Sequence, residues 1–254
     1  MKSQQTVILF FCILCIAGCK KEQTAQQINS VSQQNGQTNQ TKGCPVIDPS
    51  NFVKEANNPY FPLVTGTSFH YVNRIIESKR LSLEHVDVTV TSDTKKILGV
   101  ACTVVHDVVK QKGEVTEDTY DWYAQDKQGN LWYFGEDTKA RTDTGWSTEG
   151  SWEAGVDGAC AGIAMWAKPE NHIGEMYYQE FLKGIAEDQA EVVNTNVDVK
   201  VPYGTFSHCI KTKEFTRLEP GVIEFKYYAA GVGQLKTEMT KGGNELEELI
   251  SLNH

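Results

Sequence analysis

The residues best suited to chemistry lie between Glu117 and Asp157, where carboxylates and aromatic side chains interleave. In Glu117-Asp118-Thr119-Tyr120-Asp121-Trp122-Tyr123, the two-residue period of a strand puts Glu117, Thr119, Asp121 and Tyr123 on one face and Asp118, Tyr120 and Trp122 on the other. Glu136-Asp137 follows, then Trp152-Glu153 and, after Ala154-Gly155-Val156, Asp157-Gly158. Asp118, Asp121, Glu136, Asp137, Glu153 and Asp157 are therefore the candidate ligand- or cation-binding residues. Two carboxylates beside aromatic platforms suit a glycosidase, which needs one acid and one base or nucleophile. They equally suit a sugar-binding cleft or a calcium site built from six to eight oxygens. The plainer alternative is solvated acids outside and Trp and Tyr packed inside.

Other chemistries find no support. The six histidines show neither HxH nor HExxH spacing, and there is no GxSxG elbow, phosphate loop or dinucleotide fingerprint. Asp126-Lys127-Gln128-Gly129-Asn130 lacks the Asx spacing and terminal Glu of an EF-hand and reads as a turn. No residue is nominated as catalytic and no cofactor is required, calcium being the one candidate. The leading reading is a non-enzymatic binding or structural module for an unknown small-molecule, lipid or glycan ligand. A carboxylate-based hydrolase acting on envelope or extracellular carbohydrate is one alternative, and a calcium-stabilised binding domain is another.

The elements that must carry these residues are strands. Aromatic runs on either side of 126–130 predict a β-hairpin, with Gly129 supplying a positive φ. Leu81-Ser82-Leu83 and Val86-Asp87-Val88-Thr89-Val90 alternate out of phase, which predicts a bulge at Glu84-His85. Further strands are expected over 97–109, 176–181, 187–195, 198–201, 208–217, 222–228 and 234–240, separated by Gly- and Pro-containing turns. Asn244 to Ile250 offers an N-cap with Glu three residues on, so a short C-terminal helix is an option. The expected fold is mainly β: a single antiparallel sheet, curved or closed into a half-open barrel.

Cys44, Cys102, Cys160 and Cys209 contain no CxxC spacing, which disfavours zinc and redox sites. In an oxidising compartment they allow two disulfides, expected as Cys102 with Cys209 and Cys44 with Cys160, against buried free thiols. Once Lys2 is cut away with the signal, 23 Lys and Arg face 33 Asp and Glu, a net charge of −10. That charge repels nucleic acid, so no nucleic-acid partner is expected.

At the N-terminus, Lys2 precedes the ten apolar residues from Val7 to Ile16, and then come Ala17-Gly18-Cys19. The run is the length of a signal-peptide core and would cover only about 15 Å as a helix. This start resembles the lipobox of bacterial lipoproteins, which implies cleavage before Cys19 and lipidation of its sulfur. The expected organisation is a signal peptide over 1–18, a lipid-anchored tether over 19–43 and a β-rich domain over 44–254. The tether is rich in Gln, Asn, Ser and Thr, with little to bury, and has a typical reach of about 25 Å. Membrane contact is therefore expected through the anchor. By similarity to Gram-negative sorting, Lys20 after the cysteine favours the outer membrane. Cys19-Lys20-Lys21-Glu22 also resembles surface-export signals of Bacteroidota lipoproteins, which leaves the face of the membrane open.

Pro202-Tyr203-Gly204-Thr205-Phe206 and Tyr227-Tyr228-Ala229-Ala230-Gly231-Val232-Gly233 resemble the ending of uncharacterised bacterial secreted proteins and lipoproteins; TapB-like proteins share a comparable ending. Together with Asp121-Trp122-Tyr123-Ala124-Gln125-Asp126 and the stretch from Gly150 to Gly158, the similarity spans roughly 58–236. The resemblance implies a β-rich domain related to LolA-like half-barrels, which can hold lipid in a concave apolar face.

Overall fold

The computed structural model describes residues 43–254. The expected signal peptide, Cys19 and the tether up to residue 42 lie outside the described residues. The strands are β1 (Ser68–Glu77), β2 (Arg80–Ile97), β3 (Val100–Gln111), β4 (Glu114–Gln125), β5 (Leu131–Thr142), β6 (Gly145–Ser147), β7 (Trp152–Glu153) and β8 (Cys160–Met165). They continue with β9 (Met176–Tyr178), β10 (Glu180–Phe181), β11 (Asp188–Val201), β12 (Gly204–Thr216), β13 (Ile223–Ala229), β14 (Gly233–Lys241) and β15 (Glu245–Asn253). Two short 3-10 turns, Pro49–Asn51 and Pro169–His172, are the only helical elements among the described residues.

All strands join one antiparallel sheet in the order β10-β8-β5-β4-β3-β2-β1-β15-β14-β13-β12-β11-β9, with β6 and β7 added beside β5. The sheet curls into a barrel whose seam is not fully sealed. Most neighbours are sequential hairpins; β8 with β5, β10 with β8 and β11 with β9 skip a strand or more, and β1 with β15 joins the two ends of the domain from Ser68↔Asn253 to Ile75↔Glu245. One short segment supplies both sheet edges: 176–178 pairs with β11, and 180–181 pairs with β8. Gln179 is the crossover, its N–H donating to the Asp188 carbonyl at 2.9 Å. Gly162 permits this closure. A Cβ there would lie 2.4 Å from the Gln179 carbonyl oxygen and 2.5 Å from that of Tyr178, closer than any side chain tolerates.

The 126–130 turn forms as expected, with Gly129 at φ +90° and Asp126 holding Asn130 by both its backbone and its side-chain amide. Two local expectations fail for one reason: polar residues occupy inward positions. There is no bulge at Glu84-His85. β2 runs through it in unbroken register with β1, Glu84 points inward in phase with Val86, and Leu81 and Leu83 are exposed. The slip in β2 lies instead between Val90 and Thr94, against β3. The C-terminal segment is strand and not helix: Glu245, Glu247 and Leu249 alternate inward and fill the gap between β1 and β14.

Cys44 and Cys160 form a disulfide. Cys102 and Cys209 do not pair. They lie on β3 and β12 with five strands between them along the sheet, and each is a buried free thiol. Burial pushes the Cys102 thiol up to about 12.

Candidate functional site

The interior of the barrel is lined by polar side chains. Period two carries Asn73 on β1, Glu84 on β2, Asp107 on β3, Glu117, Thr119 and Asp121 on β4, and Glu136 and Thr138 on β5 into the buried face. From the other half come Thr212 and Glu214 on β12, Glu224 and Lys226 on β13, and Glu245 and Glu247 on β15. Eleven buried carboxylates among the described residues, Asp126 included, face a single buried lysine or arginine, Lys226.

So many carboxylates cannot all be ionised out of water, because desolving an unpaired charge costs far more than keeping its proton. Burial pushes Glu84 and Glu224 up to about 7 and Glu245 and Glu247 up to about 8. Burial also pushes Asp121 up to about 7. Glu117 and Glu180 are driven well above the carboxylate range by burial, with neighbouring acids adding to it. Lys226 stays charged: burial works against it, but Glu214, 2.7 Å away, and Glu224 outweigh that.

Hydrogen bonds subdivide this lining. The Tyr133 hydroxyl lies 2.6 Å from Asp121 Oδ1 and 2.9 Å from Glu136 Oε2. Thr119 donates to Glu117 at 3.1 Å and meets Thr138 at 2.7 Å. Trp152 Nε1 donates to Glu180 at 2.7 Å, and Gln234 Nε2 donates to Glu247 at 3.1 Å. Asn73 bridges Glu84 and Glu245.

Asp107 breaks the pattern. It is 3% exposed, and neither carboxylate oxygen has a hydrogen-bond partner. It lines a cavity shared with Asp121, Gln234 and the rings of Phe61, Phe69, Tyr71 and Tyr123. Counting its open mouth, the concavity encloses about 460 Å³, but only about 40 Å³ admits the centre of a water molecule. On that second measure one water needs about 10–15 Å³, so the inner space fits a group of a few heavy atoms. Burial, then Asp121, Glu247, Asp87 and Glu136, push the Asp107 carboxyl well above the ordinary range.

Of the six acids singled out from the sequence, the structure brings two together inside: Asp121 and Glu136. Asp118 is on the outer face with the ring of His106, 2.7 Å away. Asp137 is exposed. Glu153 forms an ion pair with Lys95 at 2.7 Å, and Asp157 sits exposed in a turn at φ +52°. Asp107, Glu117 and Lys226 were missed. Glu117 and Thr119 share the face already assigned to Asp121, and that face was the available signal. For Asp107 and Lys226, flanked by Val105, Val109, Phe225 and Tyr228, no local pattern marks the polar residue as the inward one. Among the described residues, no group of three or more His, Cys, Asp or Glu is arranged to hold a metal ion.

No family model matches the chain. Nor does any curated protein. Among solved structures, it is similar to a protein predicted to be exported, with a YmcC-like fold, from Bacteroides fragilis: 14% identity, TM-score 0.46, covering 77% of this chain and 99% of that one. It is also similar to a predicted lipoprotein from Parabacteroides distasonis, at 14% identity and TM-score 0.36, covering 76% and 97%. At this level of similarity no role is transferred from either.

Proposed function

We propose that this chain is a lipid-anchored binding module of the bacterial cell envelope, held at the outer membrane, that takes a small ligand or the end of a larger one into its barrel. The observation that carries the binding reading is Asp107: a buried carboxylate with two unpartnered oxygens, facing a cavity in a nearly closed barrel. Natural interiors leave very few polar atoms unsatisfied, so a carboxylate kept in this state, at a cost of about 1–3 kcal/mol or more, points to a role. The anchor rests on the charged start, apolar run and Cys19 of the sequence. The barrel wall itself suits water: its outward side carries pairs such as Lys110 with Asp87 and Arg74 with Glu248, unlike the apolar girdle of a transmembrane barrel.

The size of the cavity separates this reading from its rivals. An acyl chain or a sugar ring needs a pocket of several hundred Å³, and the inner space is about 40 Å³. Native mass spectrometry of the chain purified from envelopes tests the proposal: a retained small molecule, lost when Asp107 is replaced by Asn, supports it. A ligand-free spectrum together with no small-molecule binding in solution overturns it. Incorporation of labelled fatty acid, abolished by Cys19→Ser, tests the anchor separately.

A further inference from the structure

We propose that the cavity recognises an organic ammonium group, held by Asp107 and Gln234 among the rings of Phe61, Phe69, Tyr71 and Tyr123. The inference rests on the binding-module reading and specifies its ligand. Three observations converge on it. First, the unpartnered polar atoms of the lining are all oxygens, both of Asp107 and Oε1 of Gln234, and all are acceptors once Asp107 gives up its proton. A ligand that completes them must bring donors, and an alkylammonium brings donors alone. Second, four aromatic rings border the same space, and ring faces attract cations, more strongly where water is excluded. Third, a second carboxylate, Asp121, lines the cavity, and the buried lysine Lys226 is bonded elsewhere, to Glu214. An anion would meet two acids here with no cation to offset them, and a neutral alcohol would forgo the charge.

Recognition of this kind is coupled to a proton. The titratable groups facing Asp107 are the carboxyls of Asp121 and Glu117 from β4, Glu136 from β5, Glu247 from β15 and Asp87 from β2, with the phenols of Tyr71 and Tyr123 and, among the described residues, no cation. In the chain alone burial and these neighbouring carboxyls favour the protonated form of Asp107. An entering ammonium replaces that proton, which leaves to solvent, so affinity rises with pH until Asp107 is ionised without the ligand.

The test is isothermal titration of the intact chain in a non-ionic detergent with n-propylammonium, n-propanol and propanoate, three-carbon probes of different charge. The expected result is saturable binding of n-propylammonium at least tenfold tighter than n-propanol, none of propanoate, proton release seen as a buffer-dependent heat, and loss of at least tenfold in Asp107→Asn. Should that variant fail to fold, the wild-type side-chain NMR signals of Tyr71 and Tyr123 decide: they move with n-propylammonium and not with propanoate. Dihexanoyl phosphatidylethanolamine in the same titration identifies the carrier; binding assigns a lipid head, and no binding beside a positive n-propylammonium titration assigns a free amine. Equal binding of n-propanol, or n-propylammonium binding unchanged in Asp107→Asn, overturns the ammonium assignment while leaving a binding cavity. No binding by any probe, with a ligand-free native spectrum, overturns both.

Discussion

Asp121 and Glu136 stand directly opposite each other across the β4–β5 ladder and share the hydroxyl of Tyr133. One phenol has one proton to give, so the three groups form a chain in which at least one carboxylate keeps its own. Tyr133→Phe removes the shared oxygen and leaves two buried acids facing each other. The expected cost is about 1–3 kcal/mol, the desolvation penalty of unsatisfied polar groups. Chemical denaturation checks this, and an unchanged midpoint would show that the phenol is dispensable.

The raised interior carboxylates set the direction of the pH dependence. Glu84, Asp121 and Glu224 near 7, and Glu245 and Glu247 near 8, hold protons in the folded state that the unfolded chain releases near pH 4. Their contribution is therefore complete below about pH 4 and is lost as pH rises through 7 to 8. Each proton retained only by the folded state changes stability by about 1.4 kcal/mol per pH unit. Urea midpoints at pH 5 and pH 8 should differ clearly in favour of pH 5; the opposite order would mean that these acids are ionised inside.

How much of this was readable in advance varies by face. The β4 alternation was visible because Tyr120, Trp122 and Tyr123 mark a strand whichever way it faces. Which side was buried was not, because the usual rule puts acids outside and here Glu117, Thr119 and Asp121 face inward. The same inversion produced the false bulge, since Leu81 and Leu83 are exposed while Glu84 is 2% exposed. It also hid β15, whose inward residues read Glu-x-Glu-x-Leu and fit a helical cap equally well. The pairing of β1 with β15 is a contact between the ends of the domain, beyond any local pattern.

Gly162 should be intolerant of any side chain. A Cβ cannot fit 2.4 Å from the Gln179 carbonyl, so Gly162→Ala forces β8 away from the 176–181 segment at a cost of about 1–3 kcal/mol. Hydrogen exchange should then rise at Glu180 and Phe181, the residues paired with β8. Gly221→Ala, which meets nothing within 4 Å, is the control. Equal effects of the two substitutions would remove the close-approach explanation.

Among the described residues, the four cysteines divide into two chemical populations. Reduction of Cys44–Cys160, which spans 116 residues, should lower stability by up to about 5 kcal/mol by loop-entropy accounting. Cys102 and Cys209, each 0% exposed and with thiol pKa raised by burial, should resist alkylation until the chain unfolds. Mass spectrometry after alkylation in native buffer, in denaturant, and in denaturant with a reductant counts both sets. Modification of either thiol in the native chain would contradict their burial.

The crossover at Gln179 also bears on how copies of the chain behave when crowded. An open sheet ends in unpaired N–H and C=O groups that can recruit a strand from a neighbouring molecule. Here the free edges are β9 and β10, three and two residues long, and the same short segment turns each of them toward the other side of the barrel. They cover only Gln189–Glu191 of β11 and Cys160–Ala161 of β8, so each edge is blunted at one point. Gathered densely on a surface, such molecules therefore present short, blunted strand ends to one another among the described residues.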